Sequence, residues 1–208
     1  MADKKLCADR GIIAQFISRI TTDWSNMPDQ VGGFEIRCLG ENRTTVSQIF
    51  ALGAVSQATD LAVQMNANKL NIYMTINPVN LDAKIKSGKS AKDNDILRAH
   101  YNFVDADDLK GINGLIELAK IIEPDITVTT GTIPHQRCHA YWQLIEPCYD
   151  LPVWTQRQKQ LADQFNTDKA VVNPSRIMRV AGTISFPSTA KLAKGYLPEL
   201  VTMHERST

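Results

Sequence analysis

Short runs of alternating hydrophobicity and longer runs of helical spacing follow one another along the whole chain, and no segment repeats another. That interleaving limits the fold more than any other feature, because period 2 belongs to strands and period 3.6 to helices. The clearest strand is Arg137–Leu144 (RCHAYWQL). Cys138, Ala140, Trp142 and Leu144 fall on one face and suit a core, while Arg137, His139, Tyr141 and Gln143 form a polar face. Ile126–Thr130 pairs with it as a hairpin through a Gly131–Pro134 turn. Leu70–Ile76 is a strand stopped by Asn77-Pro78, and Tyr101–Asp107 is another. Phe34–Leu39 and Val46–Phe50 pair across the polar Gly40–Thr45 turn. Helical spacing marks Ile12–Ile20, Ala54–Met65 and Leu115–Ile122. A further helix is capped by Asp150, carries Pro152 in its first turn and runs through Phe165. Arg176–Ala181 is a last strand or turn before a basic tail, and Val79–Lys92 reads as a long mobile loop. The expected class is α+β.

Composition removes several alternatives. A chain of 208 residues buries about 70% of the surface its unfolded form exposes, enough for one good core. The net charge of +1 argues against a polybasic coat, so any nucleic-acid site must be local. No apolar run approaches the roughly 18 residues of a membrane span, and Met1–Arg10 is polar, unlike a signal peptide. Cys7, Cys38, Cys138 and Cys148 show no CxxC spacing, so reduced thiols in a cytoplasmic protein are expected.

Three clusters could carry chemistry. Asp105 and Asp107 lie two apart on a strand and point the same way. Two carboxylates this close repel unless a divalent cation sits between them. The plainer alternative is a strand running into an acidic turn, since Asp108 follows. On the hairpin strand Arg137 and His139 stand side by side after Thr129-Thr130-Gly131, either as phosphate contacts or as satisfied surface groups. The third cluster holds Asp168, Arg176, Arg179 and Gly182. From Lys169 onward six Lys or Arg face two Glu, and Arg suits triphosphates because its fork is bidentate and always charged. Arg176 and Arg179 sit among Ile177, Met178 and Val180, whereas Lys191 and Lys194 read better as a solvated surface. The His135-x3-His139 spacing is wrong for a structural zinc on an extended strand, and no GxxxxGK[ST] occurs.

The order of these pieces resembles the archaeo-eukaryotic primase superfamily, most closely the RepB-like primase domains of plasmids and phages. Phe103-Val104-Asp105-Ala106-Asp107 matches its hhDhD motif, Gly131 through His139-Ala140-Tyr141-Trp142 its sxH motif, and Asp168 its hD motif. Ser175-Arg176-Ile177-Met178-Arg179, Ala181-Gly182-Thr183 and the upstream strand Tyr73–Asn77 extend the match over about Leu70 to Leu200. Thr130-Gly131 stands where the family has Ser-Gly, and Arg137 where it has a small residue. The resemblance implies a core with an RNA-recognition-motif-like sheet over residues 70–208, packed with an α/β module over residues 1–69 in one compact body. It implies primer synthesis on single-stranded DNA from NTPs or dNTPs, in replication of a plasmid, phage or other mobile element. Asp105, Asp107 and Asp168 would hold two Mg²⁺ or Mn²⁺ ions. Thr130, Arg137, His139, Arg176 and Arg179 would contact the nucleotide, with Lys191 and Lys194 on the template. A replicative helicase, or an accessory domain in a longer protein, is the expected partner; a membrane is not. The competing readings are a non-catalytic single-strand-binding module and a metal-dependent nicking initiator. The spacing of His135-Gln136-Arg137-Cys138-His139 fits the latter poorly.

Overall fold

Residues 6–26, 32–42, 44–83, 85 and 88–207 are described in the computed structural model of the chain. The helices among them are α1 (Arg10–Thr21), α2 (Val55–Ala67), α3 (Leu109–Ile121), α4 (Leu151–Phe165) and the single turn α5 (Thr189–Leu192). The strands begin with β1 (Gly32–Leu39), β2 (Thr45–Ala51), β3 (Asn71–Thr75), β4 (Val79–Asn80) and β5 (Ala99–Ala106). They continue with β6 (Ile126–Gly131), β7 (Arg137–Cys148), β8 (Ile177–Arg179), β9 (Ile184–Ser185), β10 (Glu199–Leu200) and β11 (Thr202–Glu205). Several boundaries follow from caps. Asp9 accepts the Ile12 N–H at the start of α1, and Asp150 accepts that of Val153 at the start of α4. Helix α3 begins six residues before the expected Leu115 because the Asp108 side chain accepts the Gly111 N–H at 2.7 Å.

Two antiparallel sheets face each other. The first has the order β2-β1-β3-β8, with β4 also on β1; the second has the order β11-β6-β7-β5. Because β1 pairs with β3 from Ile36 to Leu39, the first sheet joins residues on both sides of position 70. Strand, helix, hairpin and helix follow in the order β5-α3-β6-β7-α4. This segment builds the second sheet apart from its edge strand β11.

Both faces of that second sheet are buried. Val104, Ala106, Cys138, Ala140 and Trp142 meet Leu115, Leu118 and Phe165 of α3 and α4. The opposite face of β7, expected to be polar and open, instead turns inward against α1 and the first sheet. Phe16, Phe103 and Tyr141 meet there in the main core. An aromatic Tyr and its strand neighbours bury enough apolar area to fill that interface, at about 1.5–3 kcal/mol per large side chain.

Two further expectations are corrected. The Val79–Lys92 stretch is anchored rather than loose along much of its length. Val79 and Asn80 pair with Gly33 and Gly32, and Ala91 is buried; residues 84, 86 and 87 lie outside the described ones. The chain also does not end in a free basic tail, because Thr202–Glu205 adds an edge strand to β6. The Thr202-Met203-His204-Glu205 alternation is too short to stand out by itself. Gly182 adopts φ +83° and packs where a Cβ would lie 2.7 Å from the Asp9 carbonyl, tying β8's exit to the start of α1. The described cysteines are all free thiols, with Cys38 and Cys138 buried. Among the described residues no helix is long and apolar enough to cross a membrane.

Candidate active site

The free edge of β5 sets the site. Its outward carbonyls would be orphans, and each finds a donor from the segment that follows β7. Trp154 Nε1 donates to the Tyr101 carbonyl at 3.1 Å, and Gln158 Nε2 to that of Phe103 at 2.8 Å. The Asp168 N–H donates to the Asp105 carbonyl at 2.8 Å. This series of bonds carries Asp168 to Asp105 across more than sixty residues. Its side chain is turned into its own loop, where Oδ1 accepts the Ala170 N–H at 2.8 Å.

On the inner face Asp105 lies directly opposite His139 in the β5–β7 register, and His139 opposite Val128 on β6. They border a cavity of about 280 Å³. Asp105, Asp107, Thr130, Arg137 and His139 line it from the second sheet, and Asn71, Tyr73 and Arg179 from the first. Its remaining wall is the segment Ser185 to Ser188 with Lys191 and Tyr196. The structure therefore gathers Asp105, Asp107, Thr130, Arg137, His139, Arg179 and Lys191 around one space. Asp168 and Arg176 adjoin it electrostatically, and Lys194 does not line it. A larger groove of about 920 Å³, bounded by Asp93, Tyr149, Leu151, Lys159 and Pro174, shares none of these residues.

Asp105 is the unsettled group. Its Oδ1 is buried without a hydrogen-bond partner, and His139 Nε2 approaches only to 3.6 Å. Burial pushes its carboxyl well above the usual range, the charges of Asp107 and Asp168 push it further, and Arg179 and Arg176 oppose the shift. His139 moves the other way, down to about 3, through burial first and the Arg179 and Arg176 charges second. It is a neutral imidazole, so its approach to Asp105 is not an ion pair at neutral pH. Its Nδ1 lies 3.3 Å from the Tyr141 hydroxyl, whose own ionisation burial suppresses.

The cations differ in freedom. Arg179 stands opposite Tyr73 in the β3–β8 register, donates to the Tyr73 hydroxyl at 2.8 Å and to Asn71 Oδ1 at 2.6 Å, and lies over the Tyr73 ring. Arg137 is more committed than its sequence suggested. It donates to Glu199 at 3.0 Å and to the Ile133 and His135 carbonyls, and it covers the Tyr196 ring. A Cβ on Gly131 would fall 1.8 Å from that guanidinium, so a larger residue there would push the Arg137 and Glu199 side-chain ends aside. Glu199 also accepts the N–H of Thr132 and of Ile133, fixing the turn before β7. Lys191 is exposed, with its Nζ 5.4 Å from the Tyr196 ring centre.

Asn71, Tyr196, Glu199 and the Ser185–Ser188 wall were not singled out from sequence. The Pro187-Ser188 pair was the available signal, since the Ser188 side chain caps α5 and so turns Lys191 toward the cavity. The oxygens at Asp105 and Asp107 suit a hard divalent cation, and the orphaned Oδ1 is a ligand in want of one. Among the described residues no three His, Cys, Asp or Glu side chains form a ready-made cage. The donor set therefore fits an ion that takes one or two carboxylates and completes its shell with water and phosphate.

No family model and no curated protein matches the chain by sequence. Solved structures match it by fold. The archaeo-eukaryotic primase domain of the primase-polymerase of cyanophage S-2L superposes with a TM-score of 0.66 at 20% identity. That match covers 97% of this chain and 92% of the phage domain. The primase RepB′ superposes with a TM-score of 0.60 at 18% identity, over 93% of this chain and 56% of that one. The catalytic domain of RepB′ in complex with initiator DNA gives 0.60 and 18%, over 95% and 85%. With its acidic cavity at the meeting of two antiparallel sheets, the chain has the α+β fold shared by the archaeo-eukaryotic primase domain of the phage enzyme and the catalytic domain of the RepB′ primase.

Proposed function

We propose that the chain is a template-directed nucleotidyltransferase that synthesises primers on single-stranded DNA. The observation that carries this reading is the buried, unpartnered Asp105 oxygen in a cavity whose opposite wall presents Arg179 and Lys191. Acids on one wall and cations on the other suit a triphosphate bridged to the protein by metal. Asp105 and Asp107, with Asp168 beside them, would hold Mg²⁺ or Mn²⁺. Such an ion supplies Lewis acidity at the α-phosphate and neutralises charge on the departing pyrophosphate.

The chain's own groups do the rest. Arg179, held by Tyr73 and Asn71, presents a fixed positive charge to the phosphates, and Lys191 adds a mobile one. His139, kept neutral by burial, offers a ring nitrogen to phosphate oxygen or to the attacking hydroxyl without adding charge. Arg137 and Glu199 brace the turn that carries Thr130 to the cavity. The reaction joins a 3′-oxygen to the α-phosphorus and breaks the bond to the β-phosphate oxygen, releasing pyrophosphate. The named neighbours, a phage primase-polymerase and a primase seen with initiator DNA, support DNA as the partner. The template we propose is single-stranded, in replication of a plasmid, phage or other mobile element. A helicase or accessory domain would supply firmer template binding than a net charge of +1 provides.

The test supplies labelled ribo- and deoxynucleotides, Mn²⁺ and single-stranded DNA to the protein. New oligonucleotides that disappear in Asp105→Asn support the reading. Strand cleavage would make it a nicking enzyme, and DNA binding without synthesis a binding module.

A further inference from the structure

The turn from Asn173 to Ser175 lies outside the cavity and is held from two sides. On its outer side Asp93 Oδ1 accepts from Asn173 Nδ2 at 3.0 Å, from the Ser175 N–H at 3.0 Å and from Ser175 Oγ at 2.7 Å. On its inner side buried Asn77 donates Nδ2 to the Pro174 carbonyl at 3.1 Å and accepts the His100 N–H of β5 at 3.1 Å. Burial raises the Asp93 carboxyl, but the bonds from Ser175 and Asn173 outweigh it and leave the group below its ordinary range. It is therefore an ionised, charge-assisted acceptor, the stronger kind of hydrogen-bond anchor.

The turn leads straight into Arg176, whose N–H closes it on the Asn173 carbonyl at 3.1 Å. The Arg176 guanidinium makes neither hydrogen bond nor ion pair with the described residues. Its charge is nevertheless felt at both Asp105 and His139. Arg179 is held by side-chain partners; among the described residues the Arg176 guanidinium has none, so its placement depends on the turn that carries its backbone.

We propose that Asp93 is a positioning residue for Arg176: by fixing the Asn173–Ser175 turn it directs that guanidinium toward the phosphates of a nucleoside triphosphate in the acidic cavity, without touching the nucleotide. This rests on the nucleotidyl-transfer reading. Loss of the anchor frees the Arg176 backbone, and small misplacements of a charged group are costly at a phosphate site.

The test titrates base-labelled fluorescent ATP and dATP into the full chain with Mn²⁺ and compares Asp93→Ala, Asp93→Asn, Arg176→Ala and the Asp93→Ala/Arg176→Ala double variant. Asp93→Ala should weaken nucleotide binding on the order of tenfold. Asp93→Asn should recover most of that, because its amide oxygen still accepts from Ser175. The double variant should bind no worse than Arg176→Ala, as expected when one residue acts through the other. Thermal melts accompany each titration. Should Asp93→Ala melt below the assay temperature, Ser175→Ala removes one of three donors to Asp93 and a second acceptor of the Asn173 amide, and should show a smaller loss of the same kind. Wild-type affinity in Asp93→Ala or Ser175→Ala, or additive losses in the double variant, overturns the inference alone. A wild-type chain that binds neither nucleotide overturns the nucleotidyl-transfer reading along with it.

Discussion

Glu35 and Asp105 are both carboxylates enclosed by the fold, and the protein treats them in opposite ways. The Glu35 side chain is 0% exposed and every lone-pair direction is used. Oε1 accepts Arg37 Nε at 2.6 Å and Ser47 Oγ at 2.7 Å, and Oε2 accepts an Arg37 terminal nitrogen at 2.8 Å and the Ala91 N–H at 3.0 Å. Asp105 is 16% exposed, has an oxygen with no partner, and faces two like charges. Burial is common to both, so burial does not distinguish a structural acid from a reactive one. Completeness of hydrogen bonding does.

The largest effect should fall on activity at the incomplete site. Asp105→Asn should lower primer synthesis on the order of a thousandfold, since it removes an anionic ligand that would hold the divalent ion at the reacting phosphates. Glu35→Gln should leave the activity per folded molecule close to wild type. Primer yield normalised to the folded fraction decides between them, and equal losses in both variants would break the contrast. Stability should reverse the ranking. Glu35→Ala strands Arg37 and the Ala91 N–H and should cost about 3 kcal/mol, the lower end for a broken buried pair because Arg37 is partly exposed. Urea unfolding measures it, and an unchanged midpoint would mean the pair is idle.

The contrast also explains what sequence could show. Asp105, Asp107 and His139 were legible because period-2 strands dictate which residues share a face, and β5 and β7 obey it. The spacing between Asp168 and the strand acids said nothing of distance, and only the family pattern joined them. In the fold the link is a row of edge-carbonyl bonds from Trp154, Gln158 and the Asp168 N–H, none of which has a local signature. Most strands and helices were legible to within a few residues. The exceptions are the start of α3, six residues early, and β4, β9, β10, β11 and the single turn α5, which are two to four residues long. Glu35 was invisible for the reason that makes it stable: an acid in a strand reads as an outward residue unless its Arg, Ser and amide partners are known. Tyr141 misled in the same way, since the polar-looking face of β7 is covered by α1 and the first sheet.

A smaller effect concerns pH. The Asp105 carboxyl is raised in the folded protein, so its contribution to stability is fully present below the unfolded value of about 3.9 and is lost as pH rises through the raised folded value. Metal-free Asp105→Asn should therefore match wild type near pH 4. It should gain on the order of 2 kcal/mol by pH 8, or about 4 to 8 °C in Tm for a chain of this size. Excess Mn²⁺ should erase the difference by stabilising wild type alone, and more so as pH rises and the carboxyl gives up its proton. Melting curves from pH 4 to pH 8 with and without Mn²⁺ test this. A pH-independent gap between the two proteins would show that Asp105 is an ordinary surface acid.

The smallest effect should come from thinning the complete site rather than breaking it. Ser47→Ala removes one of four donors to Glu35 and leaves the Arg37 fork and the Ala91 N–H in place. The Ser47 hydroxyl has one hydrogen, and the Lys89 carbonyl at 3.2 Å competes weakly for it, so the bond to Glu35 at 2.7 Å is the one lost. With the carboxylate still paired, no buried charge is orphaned, and the expected cost is about 1 kcal/mol, that of a single ordinary hydrogen bond. If instead Ser47→Ala costs as much as Glu35→Ala, Glu35 is poised as delicately as Asp105. Completeness would then no longer separate the two acids. Urea midpoints of Ser47→Ala, Glu35→Ala and the double variant measure the step, and the double variant should lie close to Glu35→Ala because only the weaker bond to the Lys89 carbonyl is then left to the hydroxyl.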